Sequence, residues 1–176
     1  MIPIMWPFAV WGLDLVGPFK KAPGGFTHLL VTIDKFTKWI EARPISTIKY
    51  EQAMLFFLDI IHRFGVPNSI ITDNDTQFTG RKFVRFCDEQ HIRIDWATIT
   101  HPRTNGQAER ANGMLLQGLK PRIFNRLNKF GARWVADLPA VLWSLRTTPG
   151  RATGYTPFLW SMVPRLSSQW ILTTEH

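Results

Sequence analysis

The chain has 176 residues, of which 45% are hydrophobic, including 8 tryptophans and 13 phenylalanines. This length and composition suit one compact domain with its own core, and they exclude a disordered chain. The apolar stretches are interrupted by charges, and the apolar start lacks a basic segment and a cleavage site, so we expect neither a membrane span nor a signal peptide. The single cysteine, Cys87, excludes a disulfide framework and a multi-cysteine zinc site within these residues. We expect Cys87 to be buried as a small apolar residue.

The positive charge is concentrated in one part of the chain. The formal net charge is +8, yet residues 1–100 are nearly balanced. Residues 101–133 hold one acidic residue, Glu109, against seven basic ones. A segment of this kind indicates a polyanion partner such as nucleic acid, although a solvated helix face gives the same pattern. The basic residues of the segment are Arg103, Arg110, Lys120, Arg122, Arg126, Lys129 and Arg133.

The first 45 residues predict an antiparallel meander of three strands. The runs 9–17, 27–33 and 38–45 are rich in residues that favour strands, and two glycines at 24–25 can close the first turn. Pro44 lies near the end of the third run, and proline in a sheet is confined to edges and strand ends. Pro44 therefore suits either an edge strand or the end of a strand.

A helix and a buried strand are expected next. Ser46 or Thr47 is a candidate N-cap, the apolar positions up to Phe64 follow the helical period, and Gly65 supplies the stop. The run "SIIT" at 69–72 is too short for a helix and largely apolar, which predicts a buried, parallel strand.

The remaining elements complete a mixed sheet. Residues 80–91 predict a short helix and 92–98 a fifth strand. Thr104 and Gln107 have the spacing of a capping box, so another helix is expected to begin there, and a last helix is predicted over 133–148. The fold class is therefore α/β, with a five-stranded mixed sheet flanked by helices.

Three carboxylates stand out by their positions in these elements. Asp14 lies in the middle of the first strand, on the face opposite to that of its two leucine neighbours, and a lone carboxylate there needs a partner. Asp73 follows the fourth strand, where an Asp-Asn turn is one explanation and a ligand site outside a parallel strand another. Glu109 lies in the first turns of the helix that Thr104 opens. Three converging carboxylates would repel each other without cations, and Mg²⁺ prefers carboxylate oxygens. We expect Asp34 to be structural and Asp95 to pair with Arg93 or with no residue.

Four motifs resemble one known family, in the order in which that family has them. They are "WPFAVWGLDLVGPF", "IITDNDTQF", "HPRTNGQAER" and "RWVADLPAVLWSLRTTPGRATGYTPF", and 35 residues separate Asp73 from Glu109. The chain resembles the catalytic core of retroviral-type integrases, in the plant-like branch of gypsy-type LTR retrotransposons. The resemblance predicts a core domain over residues 1–160 and a divergent tail over 161–176.

The resemblance implies an RNase H-like fold and a metal-dependent polynucleotidyl transferase. Such an enzyme trims the 3′ ends of the element's DNA and joins them to target DNA. By this resemblance Asp14, Asp73 and Glu109 are the catalytic residues and hold two Mg²⁺ or Mn²⁺ ions. The partners implied are double-stranded DNA and further copies of the chain, acting in the nucleus. The residues expected at the DNA are Asn105, Gln107, Arg110, Lys120, Arg122 and Arg126.

The sequence also departs from the family pattern. Asp75 stands where the family usually has glycine, and Pro121 interrupts the helix that carries Glu109. The zinc-binding and DNA- or chromatin-binding modules that flank the core in the family are not in these 176 residues. We therefore expect a core fragment or a decayed copy. The alternatives are a catalytically inactive, domesticated DNA-binding domain, and an RNase H-like nuclease acting on hybrids or junctions, which fits the three carboxylates but not the last motif.

Overall fold

Five strands form one mixed sheet in the computed structural model, which describes residues 6–73, 80–97, 118, 120–151 and 153–163. The spatial order is β3-β2-β1-β4-β5. The first three strands pair antiparallel, whereas β4 is parallel to β1 and β5 is parallel to β4. The strands are β1 (Val10–Val16), β2 (His28–Asp34), β3 (Ile40–Ile45), β4 (Ser69–Thr72) and β5 (Arg93–Trp96). The predicted mixed sheet is confirmed, including the meander and the parallel fourth strand, and β3 lies at the edge, one of the two positions that Pro44 suits.

Helices lie on both faces of this sheet. Among the described residues, none of them is long and apolar enough to cross a membrane. The helices are α1 (Tyr50–Phe64), α2 (Arg81–Glu89), α3 (described over residues 120–128), α4 (Trp134–Thr147) and α5 (157–163), and a short 3-10 helix (Gly131–Arg133) precedes α4.

The two ends of α1 test the sequence prediction differently. Gly65 ends the helix as expected, with φ of 90° and its N–H donating to the carbonyl of Ile61. The expected cap at Ser46 or Thr47 is wrong, because the helix begins at Tyr50 after Lys49, with no side-chain cap. Strand β3 continues to Ile45, whose carbonyl accepts a hydrogen bond from the backbone N–H of Thr27, just before β2. The next four residues are needed to turn from the edge strand into the helix.

Alternation along the strands divides the core into two clusters. On one face, Leu29, Val31 and Ile33 of β2 pack with the helices α3 and α4. On the other face, Leu30 of β2 and Leu13 of β1 pack with α1 and α2. Successive strand residues point to opposite faces, so Asp14 belongs to the α3/α4 face.

A buried carboxylate ties the edge strand to both helical layers. Glu41 of β3 is 7% exposed. Its Oε1 accepts bonds from Arg63 of α1 at 3.1 Å and Trp39 Nε1 at 2.7 Å, and lies 3.1 Å from Arg146 of α4. Arg146 also donates twice to the carbonyl of Ile40. Since a buried charge must be paired to be tolerated, the network fixes how both layers sit on the edge of the sheet.

Candidate active site

Two aspartates lie next to each other on the central strands. The parallel register of β1 and β4 pairs Val10 with Ser69 and Gly12 with Ile71. Continued for two more residues, this register places Asp14 beside Asp73, which directly follows β4. The site lies outside the carboxyl end of a parallel strand, where ligands collect in open α/β sheets.

Asp14 is almost completely removed from solvent. The residue is 1% exposed. Its Oδ1 accepts a 2.7 Å bond from the backbone N–H of Leu15, while its Oδ2 has no hydrogen-bond partner among the described residues. Burial raises the pKa of Asp14 from 3.8 to about 6; the hydrogen bond and charge of Lys120 lower it, and Asp73 adds a smaller upward effect through its like charge. The protein therefore holds a carboxylate that is short of positive partners.

A lysine from α3 bridges the two aspartates. The Nζ atom of Lys120 lies 3.0 Å from Oδ1 of Asp14 and 3.7 Å from Oδ2 of Asp73. Burial alone would lower the pKa of the Lys120 ammonium, but its hydrogen bond to Asp14 and the charges of both aspartates raise it above its ordinary value. One ammonium thus contacts two carboxylates from different strands.

The position of Lys120 follows from the packing of α3. Ile123 and Leu127 are fully buried in the cluster beneath α3 and α4. Phe124 stacks on Phe19 at 5.0 Å between ring centroids, and the indole N–H of Trp134 donates to the carbonyl of residue 20 at 2.9 Å. These contacts hold the described part of the helix, including Lys120, over the strand ends. Sequence analysis placed Lys120 among the residues facing DNA and missed its contact with the aspartates, because no local pattern encodes this packing.

The other predicted site residues fall into two groups. Arg122 and Arg126 lie one turn apart on α3, and among the described residues neither guanidinium pairs with a carboxylate. Burial and the neighbouring charge of Arg126 lower the pKa of Arg122. Arg126 donates a 3.1 Å bond to the hydroxyl of Ser144 on α4. Four predicted residues lie outside the described part of the chain: Asn105, Gln107, Glu109 and Arg110. Asp75 does so as well.

The residues that were expected to be structural are structural here. Asp34 is fully buried and accepts bonds from the backbone N–H groups of Phe8 and Thr37 and from the hydroxyl of Thr37. Asp95 receives two bonds from Arg93, at 2.8 and 3.0 Å. Cys87 is buried, and burial raises the pKa of its thiol to about 12.

The aspartate pair fits a divalent cation by its chemistry. Carboxylate oxygens are the preferred ligands of Mg²⁺, and Asp14 presents a buried oxygen without a hydrogen-bond partner in the described structure. The pair already shares one cation, the Lys120 ammonium. Within the described residues no group of three or more His, Cys, Asp or Glu could hold a metal, so a third carboxylate would have to come from outside them.

Comparison with known proteins gives a consistent family assignment. Residues 6–102 match the family model described as "Integrase core domain". The Gag-Pol polyprotein of avian reticuloendotheliosis virus is 34% identical over 149 residues, which cover 84% of this chain and 12% of that protein. The chain spans only 12–13% of the length of the first curated relatives it matches.

Solved structures share the fold. A chain of the simian T-cell lymphotropic virus intasome, solved in complex with PP2A regulatory subunit B56 gamma, matches with a TM-score of 0.66 and 23% identity, over 92% of this chain and 56% of that one. The HTLV-2 integrase catalytic core domain in complex with magnesium (trimeric form) matches with a TM-score of 0.63 and 24% identity, over 89% of this chain and 98% of that one. The chain therefore resembles integrase core domains in the arrangement of its sheet and helices as well as in sequence.

Proposed function

The chain belongs to the integrase core domain family, and on that premise we propose that it is a metal-dependent polynucleotidyl transferase acting on DNA. Its reaction is the trimming of an element's 3′ ends and their transfer into target DNA. The observation that carries the proposal is the Asp14–Asp73 pair, which two central strands bring together around the ammonium of Lys120. Glu109, outside the described residues, is proposed as the third carboxylate.

In this proposal the three carboxylates hold two Mg²⁺ or Mn²⁺ ions. When bound, such ions supply activation of the attacking oxygen and stabilisation of the leaving one. The chain itself contributes position and exclusion of water. Asp14 is fixed by the bond from the N–H of Leu15 and by its burial within the sheet. A carboxylate held this rigidly keeps its oxygens in one place between substrate-binding events.

The surface of α3 beside the pair is proposed to bind the phosphate backbone. Arg122 and Arg126 are adjacent positive groups without acidic partners in the described structure, and Lys120 lies at the pair itself. Adjacent like charges are unfavourable in a helix unless an anion lies opposite them. Asn105, Gln107 and Arg110 are proposed to contact DNA from the neighbouring segment.

The finer identity rests on the motifs. The segment "RWVADLPAVLWSLRTTPGRATGYTPF" supports an origin in a gypsy-type LTR retrotransposon rather than in a retrovirus. An enzyme that inserts element DNA works on double-stranded DNA in the nucleus. Since both ends of an element must be transferred into the same target DNA, we further propose that the chain functions as a homo-oligomer.

The direct test is a disintegration assay, the reversal of strand transfer, with purified protein and Mg²⁺ or Mn²⁺. We expect activity that is lost in Asp14→Asn and in Asp73→Asn but kept in Asp95→Asn, a matched control whose carboxylate pairs with Arg93. Activity that survives both site substitutions would overturn the assignment. Binding of DNA with no activity in any metal would instead favour the inactive DNA-binding domain.

A binding experiment tests the α3 surface separately. Neutralising Lys120, Arg122 and Arg126 together should weaken binding to every DNA sequence and flatten the dependence of affinity on salt. With fewer phosphate contacts, fewer counterions are released from the DNA on binding. The measurement is fluorescence anisotropy with labelled duplexes of two unrelated sequences at several salt concentrations. If affinity depends on salt equally in the triple variant and the unmodified protein, this surface of α3 is only a solvated helix face.

A further inference from the structure

The ammonium of Lys120 is a resident counter-ion of the aspartate pair. It lies 3.0 Å from Oδ1 of Asp14 and 3.7 Å from Oδ2 of Asp73. Among the described residues no other basic group forms an ion pair with Asp14. Because Asp14 is 1% exposed, water cannot screen its charge, and the lysine supplies the missing positive group.

The ammonium and a divalent ion compete for the same two carboxylates. A Mg²⁺ ion binds oxygen at about 2.0–2.1 Å, so an ion shared by the two aspartates would lie within a few ångströms of Nζ. Two cations at such a separation repel each other. The ammonium lies on Oδ1 of Asp14 and Oδ2 has no hydrogen-bond partner in the described structure, so an ion bound at Oδ2 would still face the ammonium across one carboxylate.

The lysine is able to leave, whereas the helix that carries it is anchored. The side chain of Lys120 is 46% exposed, on a flexible stem that reaches solvent by rotation about its own bonds. One and two turns further along α3, Ile123 and Leu127 are fully buried. Displacement of the ammonium therefore requires movement of a side chain and not of the core.

We propose that Lys120 is a positioning residue that holds the aspartate pair together before metal arrives, and that a divalent cation binds only by displacing it. The inference rests on the proposed function, because it takes the pair to be a cation site. Lys120 thereby lowers the affinity for the cation and links its binding to the release of a positive group beside Arg122. The released ammonium is then placed to meet a DNA phosphate.

The first experiment compares Lys120→Met with Lys129→Met, a control lysine whose ammonium lies over the ring of Phe130 and forms no ion pair with either aspartate in the described structure. Binding of Mn²⁺ is measured by the loss of the free-ion signal in electron paramagnetic resonance. We expect Lys120→Met to bind Mn²⁺ at least tenfold more tightly than the unmodified protein, and Lys129→Met to match the unmodified protein. In chelator, Lys120→Met should unfold at a lower temperature, and Mn²⁺ should raise that temperature more than it does in either reference.

The outcomes separate the two levels of the proposal. Equal Mn²⁺ affinity in all three proteins would refute the role of Lys120 while leaving the metal site intact. Weaker binding in Lys120→Met would show that the lysine helps to build the site, which also refutes displacement. Absence of saturable Mn²⁺ binding in every protein would overturn both the inference and the metal-dependent function.

A second measurement needs no variant and is therefore independent of folding. Acylation of lysines by a brief pulse of an amine-reactive ester is followed by mass spectrometry, with and without Mg²⁺ at matched ionic strength. We expect Mg²⁺ to increase the labelling of Lys120 several-fold and to leave that of Lys129 unchanged. Labelling of Lys120 that is unchanged or reduced by Mg²⁺ contradicts displacement.

Discussion

Replacing Asp14 by asparagine should stabilise the metal-free protein more at high pH than at low pH. Burial raises the pKa of Asp14 from 3.8 to about 6. A carboxyl whose pKa is raised by folding favours the folded state while it is protonated. This contribution is complete below pH 3.8 and is lost as the pH rises through about 6. Above that range the ionised carboxylate costs about 3 kcal/mol of stability, from roughly two pKa units at 1.36 kcal/mol each.

The size of the effect follows from the difference between two pH values. At pH 8 the substitution removes the whole cost, while at pH 4 it removes only about 0.5 kcal/mol, so the change between them is about 2.5 kcal/mol. An asparagine amide at this buried position would leave donors unsatisfied, at about 1–3 kcal/mol. That cost is the same at both pH values and cancels in the comparison.

The assay is urea unfolding in chelator at pH 4 and pH 8, with free energies from linear extrapolation. Asp14→Ala is the matched comparison, because it removes the same charge but leaves a different packing defect. Both variants should show the same pH-dependent gain relative to the unmodified protein, although their absolute stabilities differ. A gain that is absent, or that is larger at pH 4, would refute the view that desolvation dominates at Asp14.

Three further predictions concern the rest of the fold. Arg146→Leu should lower the free energy of unfolding in urea by about 3–5 kcal/mol, because it removes a partner from the buried Glu41. The control Arg85→Leu breaks an exposed pair within a helix and should change it by less than about 0.5 kcal/mol. Similar losses in both variants would contradict the burial of the Glu41 network. Trp134→Ala should cost about 3–5 kcal/mol through the cavity left in the core, and a loss below about 1 kcal/mol would show that α4 does not pack as described. The thiol of Cys87 should resist a thiol reagent at pH 8 until urea unfolds the chain, since burial raises its pKa to about 12; rapid labelling of the folded protein would refute this.

Much of the architecture could be predicted from local patterns. Alternation and turn residues indicated the meander, Pro44 an edge or a strand end, and the short apolar run 69–72 the buried parallel strand. Strand parity alone placed Asp14 on the face opposite to Leu13. Each of these features depends on residues that are neighbours in the chain, so the sequence alone is enough to predict it. The start of α1 was missed because the N-cap depended on how far β3 continues, and that is determined by pairing with another strand.

The chemistry of the pair was decided by tertiary structure. Motif order identified Asp14 and Asp73, but only the parallel pairing of β1 with β4 brings them side by side. The bridge from Lys120 depends on how α3 packs through Ile123 and Leu127, which no spacing in the chain encodes. The same holds for the partners of Glu41. Sequence by itself thus determined which residues carry charge and on which face of a strand they lie. The pairing of distant charges came only from the packing of the core, because its contacts join segments that are far apart in the chain.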